Sequence, residues 1–231
     1  SRARYARLAN ASADTAPVRR AIATPDKENG YYTARINLDL NQEDPQYPAL
    51  VLANFIFGDS GLKSRLLERI RQRDGLSYSG GSSLGAGQID RAGNFTITAI
   101  AAPQNLPRLE AAIQEELART LRDGYTEQEV ADAKSAILQQ RAQARADDSG
   151  IADGWTRYLF MDRTYAYSKA FEDKLSAVTL QEVNSAFRQA IEPQRLTVVV
   201  AGDYVKAEAF ARAKDKKEGA GGVAAMMAPS K

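Results

Sequence analysis

The segment Gly61–Ser79 constrains the fold most, because its pattern changes from helical to extended within one stretch of chain. Over 62–73, a rotation of about 100° per residue places four apolar side chains on one stripe of a helix: Leu62, Leu66, Leu67 and Ile70. Arg71 lies about 40° beyond the edge of this stripe. Gly75 then supplies a helix stop, and the sequence continues as a strand.

The predicted strand over 76–84 alternates, with Leu76, Tyr78 and Leu84 on one face. Its other positions are mostly serine and glycine, so the strand leaves room for another backbone to approach. A second strand, 93–101, follows closely and predicts a hairpin with the first.

The remaining pattern adds strands at 31–40 and 195–201 and several helices. The predicted helices cover 47–57, a segment capped by Asn105, segments opened by capping boxes at 126–129 and 179–182, and 149–160. Most helices follow one another instead of alternating with strands. This order indicates an α+β fold, with an antiparallel-rich sheet and helices packed on one face.

The domain organisation predicted from these patterns has three parts. Residues 1–30 lack a sustained period and are expected to form a linker or an N-terminal arm. Residues 31–204 are expected to form the α+β domain. Residues 205–231, rich in Lys, Ala and Gly, are expected to form a short helix and a loose tail.

Composition excludes several classes of function. The 231 residues include no histidine and no cysteine, so this chain alone cannot build a Ser-His-Asp triad, a disulfide or a zinc site with His or Cys ligands. The net charge of +2 is too balanced to indicate a nucleic-acid partner. No apolar run approaches the roughly 20 residues of a membrane span. We therefore expect a soluble protein, and the lack of cysteine fits a periplasmic or secreted location.

Three short matches to catalytic motifs are interpreted as turn and loop sequence. Gly58–Gly61 (GDSG) resembles a protease nucleophile segment, and Gly81–Gly85 matches G-x-S-x-G, but both need a histidine base. Ser60–Lys63 matches S-x-x-K without the further motifs that accompany it in enzymes of that type. We therefore assign no catalytic residue to this chain.

Taken in order, several short motifs resemble the C-terminal half of M16 zinc metallopeptidases, which include pitrilysin, insulin-degrading enzyme and the mitochondrial processing peptidases. The resemblance covers most of residues 20–204. The motifs are Asp26–Gly30 (DKENG), Asp44–Leu50 (DPQYPAL), Gly58–Gly61, Ser64–Leu66 (SRL), Ile70–Arg71, Gly75–Ser79 (GLSYS), Ala133–Lys134 and Ala201–Asp203 (AGD).

The resemblance implies a division of labour between two α+β domains that face each other across a chamber. In the family, the N-terminal domain carries an H-x-x-E-H zinc motif, which this chain lacks. The second domain contributes an arginine and a tyrosine, seven residues apart, that reach the substrate near the zinc. Arg71 and Tyr78 match this pair. The resemblance thus implies a substrate-binding, non-catalytic half without its own metal, which needs an H-x-x-E-H domain upstream or as a separate subunit and acts on peptides.

Other interpretations compete with this one. An arginine in a last helical turn is also favoured by the helix dipole, and a tyrosine on a half-buried strand is common packing. A non-proteolytic M16-fold scaffold is the main alternative, and a nucleic-acid-binding module is a third. The run of four arginines at 65, 69, 71 and 73 is expected to be a solvated helix face. Trp155, Tyr158 and Phe160 are expected in the core or in a chamber wall.

Overall fold

The computed structural model describes residues 8, 9, 12 and 14–210. Its strands are β1 (Arg19–Ala23), β2 (Gly30–Leu38), β3 (Ser77–Gly85), β4 (Gly93–Ala101) and β5 (Thr197–Gly202). Its α-helices are α1 (Tyr47–Asn54), α2 (Arg65–Leu67), α3 (Leu106–Asp123), α4 (Glu127–Gln143), α5 (Asp148–Phe160), α6 (Tyr165–Ala177) and α7 (Leu180–Ala190). Residues 204–210 are also helical.

The strands form one sheet in the order β1-β5-β2-β4-β3. All neighbours are antiparallel except β1 and β5, which pair in parallel. The predicted hairpin is therefore confirmed as the β3–β4 pair. The predicted α+β class with an antiparallel-rich sheet is also confirmed.

The sheet has one buried face and one open face because burial alternates along its strands. The buried face packs on helices through a cluster of rings whose centroids lie 5.6–5.9 Å apart: Phe57, Phe95, Phe187 and Tyr125. The open face carries Tyr31, Thr33 and Arg35 of β2 and Thr96, Thr98 and Ile100 of β4.

The helix predicted over 62–73 is interrupted. Gly61–Lys63 is a 3₁₀ turn, Ser64 is extended and caps α2, and Glu68–Arg73 is π-helical. Leu66, Leu67 and Ile70 are buried as predicted, whereas Leu62 is exposed. The turn at Gly61, where φ is +65°, breaks the stripe before it can include Leu62.

Helix α1 also changes from α-helical to π-helical geometry at its end. The helix predicted over 47–57 is α-helical only to Asn54, and Phe55–Asp59 continues as a π-helical segment. This segment packs against β3, and the Ser82 hydroxyl donates to Asn54 Oδ1 at 2.7 Å. Gly58 permits the close approach, since a Cβ there would lie 2.5 Å from the backbone nitrogen of Ser82.

Several local predictions are corrected. Asn105 makes no side-chain cap, because it lies in a 3₁₀ turn that runs directly into α3. Gly81–Gly85 belongs to strand β3, not to a loop. Helix α6 was not predicted. The capping boxes at Thr126 and Thr179 are confirmed.

The aromatic residues of α5 are not in the core. No residue of this helix is buried, and Phe160 is 84% exposed. Trp155 and Tyr158 contact the ring of Tyr165 at the base of α6, with centroids 5.2 and 5.3 Å away. The helix thus rests on its neighbour α6 at the surface.

The ends of the chain add to the predicted domain. Within the proposed arm, Arg19–Ala23 forms the edge strand β1, which lies beside β5. The proposed tail beyond residue 210 lies outside the described residues. None of the helices described is long and apolar enough to span a membrane.

Candidate functional site

Arg71 and Tyr78 lie on either side of the turn at Gly75, where the π-helical segment Glu68–Arg73 gives way to β3. Gly75 has a φ of +61°, which lets the chain reverse within two residues. The amide of Leu76 donates to the carbonyl of Ile70 at 2.8 Å and closes the turn. Arg71 therefore lies four residues before this turn at Gly75, and Tyr78 lies three residues after it.

Two of the four arginines in this region have structural partners. Arg65 forms a bidentate pair with Glu129 at 2.6 and 2.7 Å and stacks over the ring of Tyr125. Arg69 contacts Asp74 at 2.8 Å and Glu115 at 2.7 Å. The expectation of one solvated helix face is therefore wrong for these two residues, which join the segment to α3 and α4.

Arg71 differs from those arginines. Its side chain is exposed and makes no hydrogen bond or ion pair with any residue that the structure describes. Arg73 is also exposed and is similarly unpaired within the described chain. Arg71 is thus available to a ligand, and Arg73 provides a matched comparison two residues away.

Tyr78 stands out from the surface because β3 is bulged at this point. The register with β4 shifts between Ser77 and Ser79, so Tyr78 has no partner in the ladder. Its side chain is 88% exposed. The predicted half-buried face shared with Leu76 is therefore wrong, because the extra residue of a bulge breaks the alternation along the strand.

Ser77 holds this bulge. Its hydroxyl lies 2.6 Å from the carbonyl oxygen of Ile100 on β4 and 2.8 Å from that of Ser79. The same oxygen accepts from the amide of Ser79 at 3.2 Å. Buried Ser77 thereby compensates for ladder bonds that the bulge disrupts and fixes the backbone on both sides of Tyr78.

Next to Tyr78, a groove of about 340 Å³ opens on the exposed face of the sheet. We call it the β3 trough. Its floor is formed by small residues of β3, and its sides come from β2, β4 and the segment after α1. The lining residues are Tyr31, Gly58, Asp59, Gly61, Ser79–Ser83 and Thr98–Ile100.

The trough is the open space that the serine- and glycine-rich composition of the strand predicts. Gly81 shows why this composition is needed: a Cβ there would lie 2.9 Å from the carbonyl oxygen of Gly58. The π-helical segment can therefore lie along the edge of β3 only because that position has no side chain. Sequence reasoning did not find Asp59 as a lining residue, although it lies within the GDSG motif.

Arg71 and Tyr78 bring hydrogen-bond donors, not metal ligands, to this region. An exposed guanidinium and a phenol hydroxyl are donors for a carbonyl oxygen or a developing oxyanion. Zinc prefers His, Cys, Asp and Glu ligands, and the chain has neither His nor Cys. Among the residues described, no group of three or more acidic side chains could hold a metal ion. The residues described thus do not fit a zinc site.

Comparison with solved structures shows a shared fold. The structure of a peptidase M16 inactive domain from Pseudomonas fluorescens matches 84% of this chain and 45% of its own, with 23% identity and a TM-score of 0.72. The periplasmic protease PqqL from Escherichia coli matches 81% of this chain and 21% of its own, with 18% identity and a TM-score of 0.66.

A third match is complex III2 from Candida albicans, which covers 80% of this chain and 46% of the matched chain, with 17% identity and a TM-score of 0.63. This chain therefore spans less than half the length of each of these three proteins. No curated protein sequence matches it significantly. The family model for the peptidase M16 inactive domain matches residues 14–137, which is more than half of the chain. The chain therefore belongs to the peptidase M16 inactive domain family.

Proposed function

We propose that this chain is the substrate-binding, non-catalytic half of an M16 zinc metallopeptidase. It would complete the active site of an H-x-x-E-H domain that is either fused to it or supplied as a separate subunit. The observation that carries the proposal is that Arg71 and Tyr78 are exposed and make no hydrogen bond or ion pair with any residue that the structure describes. Ser79, which follows Tyr78, lines the trough.

In this proposal, the two donors act on the scissile peptide bond. Hydrolysis of an amide develops negative charge on the carbonyl oxygen, and donors placed there lower the barrier. Tyr78 would donate its phenol proton in a hydrogen bond, and Arg71 would add a permanent positive charge. Zinc would belong to the partner domain and would polarise the same carbonyl.

The test is peptide cleavage by the chain combined with its H-x-x-E-H partner domain. Because each donor acts on the developing oxyanion, Arg71→Ala and Tyr78→Phe should each lower kcat/KM on the order of 10²-fold. Arg73→Ala is the control, since it removes an equally exposed guanidinium from the same segment. It should leave turnover unchanged.

Unchanged turnover in Arg71→Ala and Tyr78→Phe would overturn the peptidase proposal. It would favour the alternative, a non-proteolytic scaffold of the same fold. The similarity of the fold to a chain of a respiratory complex gives that alternative its support.

We also propose a periplasmic location. The fold is shared with a periplasmic protease, and the chain contains no cysteine that an oxidising compartment would pair. Fractionation of cells that express the full-length protein would test this proposal, and recovery in the cytoplasm would contradict it.

A further inference from the structure

The β3 trough contains one charged lining residue, Asp59. It is the last residue of the π-helical segment Phe55–Asp59, which packs against β3. The Asp59 carboxylate has no hydrogen bond or ion pair with any residue in the part of the chain that the structure describes. A negative charge thus faces a groove that contains no charge of its own to balance it.

The position of Asp59 is fixed by contacts rather than by a flexible loop. The Ser82 hydroxyl joins β3 to Asn54, just before the π-helical segment, and the backbone of Gly58 lies against Ser82 and Gly81. Asp59 is an exposed residue, and the partial loss of water around its carboxylate raises its pKa above the ordinary value. A cationic ligand would replace that lost solvation.

Across the trough, the wall is apolar. Tyr31 and Ile100 are paired between β2 and β4, and they are 43% and 40% exposed on the open face. Ile100 stands one strand away from β3, at a spacing of about 4.8 Å. The lining of one trough therefore combines partly exposed apolar side chains with a carboxylate.

This arrangement narrows the class of ligand. The negative charge of a carboxylate opposes phosphate and other anions and favours a cation. An aliphatic stem that ends in a cation matches both surfaces. We propose that the β3 trough binds the side chain of a Lys or Arg residue in the peptide, with its stem on Ile100 and its charge at Asp59. This inference rests on the proposed peptide-binding function, and it assigns basic peptides as the preferred substrate class.

Binding of defined peptides to the purified chain tests the proposal. Three capped nonapeptides would share an Ala/Ser/Thr sequence and differ only at the central residue: Arg, norleucine or Glu. Norleucine keeps an aliphatic stem without the charge. At low salt, the Arg peptide should bind about threefold to fivefold more tightly than the norleucine peptide, measured by calorimetry or NMR titration.

Substitutions test whether the Asp59 carboxylate is responsible for the preference for the Arg peptide. Asp59→Asn should remove the preference for Arg while leaving the dissociation constant of the norleucine peptide unchanged. Asp59→Lys should make the Glu peptide bind more tightly than the Arg peptide. Asp153→Asn, which neutralises an exposed carboxylate on α5, is the matched control and should keep the preference.

Equal binding of the Arg and norleucine peptides, a preference that survives Asp59→Asn, or no binding of any of the three peptides would overturn the inference. Its failure can be distinguished from failure of the proposed function. If Arg71→Ala and Tyr78→Phe lower turnover but no basic preference exists, only the role of Asp59 is wrong. If turnover is insensitive to both variants while the preference depends on Asp59, the peptidase role fails and the basic-peptide site remains.

Discussion

At the residue scale, Asp203 shows how one side chain joins two distant segments. Its carboxylate accepts from the amide of Asp26 at 3.1 Å and from the amide of Lys206 at 3.0 Å. The first bond holds the turn before β2, and the second caps the helical residues 204–210. Asp26 and Asp203 belong to the first and the last motif of the family resemblance.

These contacts predict a pH-dependent stability. The amide of Lys206 contributes most, with that of Asp26, to lowering the pKa of Asp203, because both donors favour the carboxylate. A lowered folded-state pKa stabilises the protein above the ordinary aspartate pKa of about 3.9. That stabilisation is lost as the pH falls through the folded-state pKa.

We therefore expect Asp203→Asn to lower the free energy of unfolding at pH 7. The difference from the wild type should shrink as the pH is lowered below about 3.9. Urea denaturation at pH 7 and pH 3 would measure both values. Asp153→Asn serves as the control, and a difference that stayed constant between the two pH values would contradict the assignment.

At the scale of elements, β3 is the strand on which the site depends. It is an edge strand that pairs only with β4, and its bulge exposes Tyr78 while its small residues leave the trough open. Edge strands commonly carry bulges, which redirect a side chain without disrupting the sheet. The strand thus places both parts of the proposed binding surface side by side.

Ser77→Ala should disturb the bulge and hence the placement of Tyr78. Because the serine hydroxyl bridges Ser79 and Ile100, its loss should cost about 1 kcal/mol of stability. In the assembled peptidase, it should also lower kcat/KM, but by less than Tyr78→Phe. Hydrogen exchange should show faster exchange of the amide of Ser79.

Ser185→Ala on α7 is the control for this prediction, since it also removes a serine hydroxyl that takes part in a hydrogen bond. It should change neither turnover nor exchange in β3. If Ser77→Ala lowered stability while kcat/KM and the exchange of Ser79 stayed at wild-type values, the hydroxyl would have no role in positioning Tyr78.

At the scale of the whole molecule, the sheet has helices on one face and leaves the other open. Within the proposed function, the open face is turned toward a second domain that carries the metal. The chain contributes donors, a trough and a carboxylate, but it contains no histidine or cysteine. Binding and metal chemistry are thus assigned to different domains.

The isolated chain should therefore neither retain stoichiometric zinc nor cleave peptides. Dialysis against zinc followed by elemental analysis measures the first property, and incubation with a mixture of unstructured peptides measures the second. The assembled peptidase is the positive control for both assays. Tight zinc binding together with peptidase activity in the purified chain would overturn the division of labour.

Local patterns were sufficient for much of the fold. Sequence patterns identified four of the five described strands and missed only β1, and the serine- and glycine-rich composition of 76–84 indicated an open surface. The capping boxes at Thr126 and Thr179 were predictable because their partners lie three residues away. The bulge at Ser77 was not predictable, because the hydrogen bond from the Ser77 hydroxyl to the carbonyl oxygen of Ile100 joins residues 23 positions apart.

The amino-acid sequence by itself determined the α+β class, the order of most elements and the exclusion of a His- or Cys-based site. The choice of Arg71 and Tyr78 as candidates came from the family resemblance of its motifs. Only the tertiary structure decided which arginines are already paired, that Tyr78 projects into solvent, and that Asp59 faces a trough. The physical reason is the sequence separation over which each kind of interaction acts. Periodicity and capping act over a few residues, whereas ion pairing, strand register and burial depend on segments that meet only in the folded chain.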